Sequence, residues 1–305
     1  MILLELPEHQ SPYFYAAAEE WLVRNASFAD VVLIVYVNQP CVVIGKNQCL
    51  WSEVNWNYIF DEQSTIVRRV SGGGTVYHDQ GNLCFSFISA FDEQKVNNYR
   101  WFNQPLVDAL GKMGIEATFS PRNDILFQGK KISGNAQFTN RKNILSHGTL
   151  LFHADLAQLR LALKPNDFSV ETKAVSSVRS PVMNLCEVYS ASFEDFKFTL
   201  TSHLPIVNKI ALTEGQLLEI QQLAEEQYAT NAWIYGKSPK AQIQKGDLTF
   251  SIENGCLYNV QSTTSIVSLE MLNGVEFHPK IVQQSINLQF ANKEEVQQIV
   301  NQLFF

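Results

Sequence analysis

Apolar residues recur at helical spacing near the start of the chain, and β-branched runs follow them. The helical stripe consists of Phe14, Ala17, Ala18, Trp21 and Leu22. This spacing predicts an amphipathic helix. Residues 31–37 and 42–44 are rich in β-branched side chains and too short for core helices, so we predict two buried strands. Ser52 is expected to cap a short helix that carries Val54 and Tyr58.

Strand patterns dominate residues 65–152. The segments with a strand pattern are 65–68, 75–78, 83–88 and 125–152, with turns expected at 79–82, 128–129 and 140–143. One helix interrupts them. It is predicted from Tyr99 to Met113, with Gly114 in the position that ends a helix.

Capping residues mark the later helices. Four helices are predicted to begin at or near Asp155, Ser192, Thr213 and Asn292. The dipeptide Asn254-Gly255 separates two strand runs, 248–253 and 256–260, and therefore predicts a two-residue hairpin.

The mixture of strands, helices and hairpins favours an α+β fold with mixed or antiparallel sheets over a doubly wound parallel sheet. The turn-rich segment 235–239 is the expected domain boundary. We therefore expect a larger domain over residues 1–240 and a small α+β accessory domain over residues 241–305.

Composition and charge narrow the classes of function. Hydrophobic residues make up 46% of the chain and charged residues 17%, as in a well-packed globular protein. The net charge of −7 argues against broad nucleic-acid binding, but not against a local cationic pocket for a small anion. No window approaches eighteen apolar residues, so we expect no membrane span. The N-terminus has the pattern of a strand rather than of a signal peptide.

The five cysteines are scattered and include no C-x-x-C pair. Their number and spacing favour buried thiols in a reducing cytoplasm over disulfides or a zinc site. We therefore expect a cytoplasmic protein.

Three consecutive glycines, Gly72 to Gly74, follow Ser71 and two arginines, Arg68 and Arg69. Glycine is costly to order, and a common reason for such a run is close approach of backbone N–H groups to an anion. The arginines would add charge and planar donors suited to phosphate or carboxylate. A tight turn beside two solvated arginines is an equal alternative. The run is not a Walker loop, because its Lys-Ser/Thr ending is absent.

A second polar cluster joins Asp124 to Lys130 and Lys131. Asp124 is the type of residue that binds Mg²⁺ together with substrate phosphate. Lys130 fits a solvated turn, whereas composition alone does not choose a role for Lys131. By themselves, His78 and His147 are better explained as hydrogen-bonded structural histidines than as catalysts.

Several of these motifs, in this order, resemble the lipoate–protein ligase A family, within the wider group of biotin ligases and octanoyl transferases. The matching segments include 11–20, 42–48, 68–82, 122–124, 131–136, 147–151, 177–185 and 236–240. Order and spacing agree from about residue 10 to 240. The resemblance implies a catalytic domain of the biotin/lipoate ligase type over the larger unit. The last segment resembles the family's small accessory domain only in position and coarse pattern.

The resemblance implies a two-step reaction. ATP and lipoate would give lipoyl-adenylate, and an acceptor lysine would then attack it. The implied acceptors are lipoyl domains of 2-oxoacid dehydrogenase complexes and the glycine cleavage H protein. Neither nucleic acid nor membrane is implied as a partner.

The resemblance also assigns roles to residues. Lys131 would be the catalytic residue, in contact with the lipoyl carbonyl and the α-phosphate, and Asp124 would hold Mg²⁺ or assist the adenylate. The residues expected to bind the nucleotide or adenylate are Arg69, Ser71, Gly72, Gly73, Gly74, Thr75, Val76, Tyr77, Asp124, Lys131, Gly134, His147 and Arg179. Arg179 lies in a segment that would border the nucleotide.

Other functions stay open at this point. A lipoyl or octanoyl transferase of the same fold would need a cysteine nucleophile or a preformed adenylate, and Cys84 is the nearest candidate for the thiol. A biotin ligase is less consistent with the glycine motif, and a non-catalytic binding protein is less consistent with intact Arg69 and Lys131. Pyrophosphate exchange with free lipoate would separate a ligase from a transferase.

Overall fold

The computed structural model describes residues 1–25, 27, 30–61, 64–263, 269–287 and 293–304. The first elements are β1 (Ile2–Glu5), α1 (Pro12–Asn25), β2 (Val32–Tyr36), β3 (Cys41–Ile44), α2 (Leu50–Glu53), α3 (Trp56–Ile59), β4 (Ile66–Arg68), β5 (Val76–His78), β6 (Asn82–Ala90) and α4 (Tyr99–Lys112). There follow β7 (Thr118–Phe119), β8 (Ile125–Phe127), β9 (Lys130–Ser133), β10 (Asn135–Thr139), β11 (Asn143–Leu151), α5 (Leu156–Ala162) and β12 (Ser169–Thr172). The last are α6 (Phe193–His203), β13 (Asn208–Ala211), α7 (Glu214–Leu223), α8 (Asn231–Ile234), β14 (Ala241–Lys245), β15 (Leu248–Glu253), β16 (Cys256–Ser262), α9 (Pro279–Asn287) and α10 (Lys293–Phe304).

The described strands form four sheets. The largest has the order β10-β11-β6-β2-β1-β13, in which β1 is parallel to both neighbours and the other pairs are antiparallel. A small sheet, β4-β3-β5, is also mixed, whereas β7-β8-β9 and β12-β14-β15-β16 are antiparallel. The predicted α+β class with mixed and antiparallel sheets is therefore confirmed.

Local signals predicted most helix starts correctly. Asp155, Ser192 and Thr213 each accept backbone N–H bonds at the start of a helix, and Thr213 forms a full capping box with Gln216. The turn at Asn254-Gly255 joins β15 to β16 with both residues at positive φ. The terminal helix is present as α10, but its expected cap, Asn292, lies outside the described residues.

The predicted helix beginning at Ser52 is wrong. Ser52 lies inside α2, and its hydroxyl donates to the Cys49 carbonyl at 3.1 Å. Val54 is extended, with φ −116° and ψ 141°, so the helix ends there. Asn55 then caps a separate helix, α3, by accepting from the Asn57 amide. Two short helices therefore replace the one that was predicted.

Residues on both sides of position 240 share one core. Trp51 and Trp56 pack edge-on against Phe277 at 5.2 and 5.1 Å between ring centroids, and Phe60 meets Phe304 at 4.9 Å. Strand β12 pairs with β14, which lies beyond the expected boundary. The division into domains of residues 1–240 and 241–305 stays a prediction. One buried apolar cluster contains residues from both of these segments. None of the helices in the described ranges is long and apolar enough to span a bilayer.

Candidate active site

A cavity of about 400 Å³ lies between α1, the glycine run, strands β9 to β11 and the loop 175–180. Its mouth carries Lys131, Asp124 and Arg122, whereas its inner wall contains buried residues such as Ala16 and Val43. The fold therefore brings the two polar clusters of the sequence, the glycine run and the Asp124–Lys131 segment, to one cavity.

The glycine run is shaped by close backbone contacts. Gly73 has φ 87°, a conformation that favours glycine. A Cβ at Gly45, in the loop after β3, would overlap the carbonyl oxygen of Gly73. Two glycines therefore allow the loop after β3 and the loop after β4 to pack against each other at the cavity wall.

Arg69 organises this loop from inside. Its Nη2 donates to the carbonyl oxygens of Gly72 and Gly74 at 2.6 and 2.8 Å, and Nη1 donates to Val43 at 3.1 Å. Burial lowers the pKa of Arg69 to about 10, so the side chain remains a cation at neutral pH. Arg69 belongs to the cavity wall, and its guanidinium donates to Ser71, Val43, Gly72 and Gly74, so it holds the loop in shape.

Arg68 does not serve the cavity, contrary to the expectation that both arginines face an anion. It is fully buried on the other side of β4, where Nη1 donates to the carbonyl oxygens of Gly45 and Gln48. Its Nη2 donates to the Ser238 hydroxyl at 2.7 Å, and Nε donates to the Ile234 carbonyl. Arg69 directly follows β4, and its amide still donates to the Ile44 carbonyl at the end of β3. Consecutive side chains along extended backbone point to opposite faces, which explains the different surroundings of the two arginines.

Lys131 and Asp124 form an ion pair at the cavity mouth. Lys131 Nζ lies 2.9 Å from Asp124 Oδ1, and the two side chains are 22% and 14% exposed. The backbone of Lys131 is fixed by bonds to Pro181 and Met183. A Cβ at Gly134 would lie 2.7 Å from Lys131 Nζ, so this glycine provides the space that the ammonium occupies.

His147 connects the inner wall to the glycine run through Ser71. Its Nε2 lies 2.7 Å from Ser71 Oγ, which accepts from Arg69 Nε at 2.9 Å. Its Nδ1 lies 2.8 Å from Glu19 Oε2. Both ring nitrogens are engaged within the protein, so His147 supports the loop that carries the glycine run. Ser71 itself is fully buried behind the wall.

Glu19 is a site residue that was missed in the sequence. Burial alone would raise its pKa, but the His147 contact and hydrogen bonds from His147, Ser86 and Tyr36 hold the pKa below its usual value. Glu19 is therefore an ionised carboxylate in the cavity wall. The available signal was a charged residue beside the apolar stripe of α1, where buried positions favour apolar side chains.

The loop 175–180 is tied to the glycine run by Ser177. The Thr75 amide and Gln48 Nε2 both donate to Ser177 Oγ at 2.9 Å. Glu53 accepts from the amide and the hydroxyl of Ser177. Gln48 and Glu53 are near each other in the chain but lie 129 and 124 residues before Ser177, so no local signal in the sequence connects them to it.

Not every predicted ligand-binding residue lies at the cavity. Arg69, Gly72 to Gly74, Thr75, Val76, Asp124, Lys131, Gly134 and His147 belong to its wall. The structure places Tyr77 elsewhere: its side chain is buried and packs edge-on against Tyr58 at 6.4 Å. Arg179 also points away and donates to the Leu163 carbonyl at 2.8 Å, although its neighbours Val178 and Ser180 line the cavity. Roles toward a ligand stay predictions for all of them.

The cavity wall formed by the described residues contains no cysteine. Cys84 is fully buried, and burial raises the pKa of its thiol well above the usual value. A nucleophilic cysteine requires an accessible thiolate, so Cys84 does not fit that role.

Comparison with known proteins identifies the class of protein to which this fold and this cavity belong. Residues 11–205 match the model of the lipoyl protein ligase A/B catalytic domain. The lipoate-protein ligase LplJ of Bacillus subtilis is 39% identical over 248 residues, which cover 79% of this chain and 75% of that protein. The chain belongs to the lipoyl protein ligase A/B family and is an enzyme of the ligase type.

Solved structures share the same fold. A bi-partite lipoate protein ligase from Thermoplasma acidophilum, analysed with its E2 lipoyl domain, is 26% identical, with a TM-score of 0.66 over 77% of this chain and 96% of that one. A lipoate-protein ligase A bound with ATP is also 26% identical, with a TM-score of 0.65 over 77% of this chain and 98% of that one.

Proposed function

We propose that this enzyme activates lipoate with ATP and transfers the lipoyl group to a lysine of an acceptor protein. The acceptors would be lipoyl domains of 2-oxoacid dehydrogenase complexes and the glycine cleavage H protein. The observation that carries the proposal is that Lys131 and the glycine run share one cavity. The proposal is supported by the relatives, which are named lipoate-protein ligases. It is also supported by two solved ligases of the same fold, one bound with ATP and one analysed with its E2 lipoyl domain.

In the first step the lipoate carboxylate attacks the α-phosphorus of ATP, and pyrophosphate leaves. This step brings two anions together, so fixed positive charge and backbone donors lower its barrier. Lys131 Nζ, at the mouth, supplies the charge between the carboxylate and the α-phosphate. The ion pair with Asp124 holds this ammonium in place before the substrates bind.

Mg²⁺ fits this site as a companion of ATP. Within the described parts of the chain, we find no group of three or more His, Cys, Asp or Glu side chains that could hold a metal by themselves. Mg²⁺ is commonly held by one or two carboxylates together with substrate phosphates, and Asp124 meets that requirement. When bound, the ion would neutralise charge on the phosphates.

In the second step the acceptor lysine, as a free amine, attacks the carbonyl of lipoyl-adenylate. An amide bond forms, the acyl–phosphate bond breaks, and AMP leaves while the amine loses its proton. This step depends mainly on positioning, because AMP is already a good leaving group. The reaction fits the cytoplasm, since the five cysteines are free thiols.

The nearest alternative is a transferase that uses a preformed acyl donor. A thioester route through Cys84 is disfavoured by the burial of that thiol. A transferase acting on preformed lipoyl-adenylate would use the same cavity. Lipoate-dependent exchange of labelled pyrophosphate into ATP is expected for the ligase and would be absent for such a transferase.

The direct test of the overall reaction is incubation of the enzyme with ATP, Mg²⁺, lipoate and a purified lipoyl domain. We expect the intact mass of the domain to increase by one lipoyl group, and omission of ATP should abolish this increase. An acceptor that stays unmodified under these conditions would contradict the proposed function.

A further inference from the structure

Arg122 is a third cationic side chain in the cavity wall. The described residues of this wall include the cations Arg69, Lys131 and Arg122 beside two carboxylates, Asp124 and Glu19. Arg69 is buried, whereas Arg122 is exposed and lies at the mouth together with Lys131. Apart from its histidines, the described part of the wall therefore has one more positive than negative side chain.

Hydrogen bonds on both sides of Arg122 fix its backbone at the mouth. The amides of Arg122 and Asp124 donate to the Ser120 hydroxyl at 3.2 and 3.1 Å, and the Ser120 amide donates to the Asp124 carbonyl at 2.9 Å. Asn123 and Asn135 join this turn to β10, because the side-chain amide of each donates to the backbone carbonyl of the other. The side chain of Arg122 therefore extends from an anchored turn.

The three cations differ in how far the protein already uses their N–H donors. The Arg69 guanidinium donates within the protein, mainly to the glycine run, and Lys131 is paired with Asp124. The Arg122 guanidinium has neither a hydrogen bond nor an ion pair within the described parts of the chain. Arginine offers five N–H donors in a planar fork that matches phosphate oxygens. Of the cations in the described wall, Arg122 is therefore the one whose donors remain available to an anion.

ATP brings more negative charge to the mouth than Lys131 alone can offset. On the proposed function, Lys131 lies between the lipoate carboxylate and the α-phosphate, and its charge is shared with Asp124. The β- and γ-phosphates leave together as pyrophosphate, so they must lie toward the open side of the cavity. Charged groups that lose water without gaining a partner are costly, so these phosphates need a further cation at the mouth.

We infer that Arg122 binds the β- and γ-phosphates of ATP and stabilises the pyrophosphate that leaves. As the lipoate carboxylate bonds to the α-phosphorus, the bond from this phosphorus to the bridging oxygen breaks, and its electron pair goes to pyrophosphate. Arg122 keeps its protons and donates hydrogen bonds to the growing charge. The inference rests on the proposed function, because that function makes ATP the substrate.

The two half-reactions separate this role from other roles at the mouth. Adenylate formation releases pyrophosphate, whereas transfer from chemically prepared lipoyl-adenylate to a lipoyl domain does not. In Arg122→Gln the first rate should fall about tenfold to hundredfold, the effect of losing one hydrogen bond to a charged group, and the second should be unchanged. Arg122→Lys keeps the charge without the planar fork and should recover part of the first rate.

The reverse reaction tests the bound group directly. The full chain, given lipoyl-adenylate, Mg²⁺ and pyrophosphate, should form ATP, and the pyrophosphate concentration that gives half the maximal rate is measured. This concentration should rise about tenfold in Arg122→Gln. Arg160→Gln is the matched control, because Arg160 is exposed and does not belong to the cavity wall. The control should match the wild type in all three assays.

Three outcomes would overturn the inference. The first is an Arg122→Gln protein with wild-type adenylate formation or an unchanged requirement for pyrophosphate. The second is slowing of the transfer step alone, which would place an acidic group of the acceptor protein at Arg122. The third is an equal loss in both half-reactions. Should the glutamine variant not fold, as judged by its melting curve, wild-type values for Arg122→Lys in every assay would overturn the inference instead.

The same assays show which of the two proposals fails. A wild-type chain that forms no adenylate would refute the proposed function, and the inference with it. A wild-type chain that forms adenylate and modifies the acceptor, beside an equally active Arg122→Gln variant, would refute the inference alone.

Discussion

Lys131 is the residue on which the chemistry depends most. Replacing it with alanine removes the positive charge that offsets the repulsion between carboxylate and triphosphate. We expect Lys131→Ala to slow adenylate formation by about 100- to 1,000-fold, the usual effect of losing one preorganised donor. Single-turnover formation of lipoyl-adenylate, followed by rapid quench, measures this rate.

Lys130 provides the matched control. It is adjacent in sequence and exposed, and it does not belong to the cavity wall. Lys130→Ala should therefore form the adenylate at a rate close to that of the wild type. Equal rates for both lysine variants would contradict the role given to Lys131.

Gly134 tests the placement of the Lys131 ammonium without changing its charge. A Cβ at this position would lie 2.7 Å from Nζ and would displace it. Because a shift of about 1 Å in a reacting group can cost about 100-fold in rate, we expect a loss of that order in Gly134→Ala. In Gly111→Ala, the added Cβ meets nothing within 4 Å, so activity should be unchanged.

Glu19 makes stability depend on acid pH. The pKa of Glu19 is lower in the folded protein than in the unfolded chain. The carboxylate therefore stabilises the fold fully at pH values above its unfolded-state pKa, and this stabilisation is lost as the pH falls through the folded-state pKa. Glu19→Gln removes a buried charge facing His147 and should cost about 3 kcal/mol at neutral pH. The difference in unfolding free energy between wild type and variant should shrink below about pH 4. A difference that stays constant in denaturant titrations down to pH 3 would contradict the ionised state of Glu19.

Between elements, Ser177 joins the loop 175–180 to the glycine run and to Glu53. Ser177→Ala removes the hydroxyl that accepts from Thr75 and Gln48 and donates to Glu53. Local opening should become easier, and trypsin cleavage at exposed Arg179 about tenfold faster. Ser176→Ala, an exposed neighbour, should be cleaved at the wild-type rate. Gel densitometry over time decides between these outcomes, and identical rates would show that the Ser177 contacts do not restrain the loop.

Elements with local signals were predictable from the sequence. Caps such as Asp155 and Thr213 act within four residues, and the Asn254-Gly255 turn is set by its own backbone. Strands β12 and β13 were not predicted. Both strands are short and largely exposed. Each forms by pairing with a distant strand: β12 pairs with β14, and β13 pairs with β1.

The same distinction holds within the site. The glycine run and Lys131 carry motifs and were found, whereas the contacts of Ser177 and Glu19 join segments more than a hundred residues apart. Arg68 and Arg69 were treated alike, although consecutive side chains along extended backbone point to opposite faces.

At the scale of the whole molecule, the C-terminal segment completes the core beside the site. Phe250 of β15 packs against Trp56, and Phe277, just before α9, packs against both Trp51 and Trp56. These residues share one buried apolar cluster with others from β14 to β16, α9 and α10. A fragment of residues 1–240 should therefore expose a large apolar surface. We expect it to bind a hydrophobic dye strongly and to unfold at a lower temperature than the full chain. A fragment that melts cooperatively at the same temperature would show that the larger unit is independent.

If one cavity joins a carboxylic acid to ATP, a single-turnover reaction without acceptor should form the mixed anhydride on the enzyme. The full chain is mixed with ATP, Mg²⁺ and lipoate, quenched, and assayed for lipoyl-adenylate and pyrophosphate. We expect both products to appear together, close to one of each per enzyme, and only when lipoate is present. Absence of both products, or release of pyrophosphate that does not depend on lipoate, would contradict it.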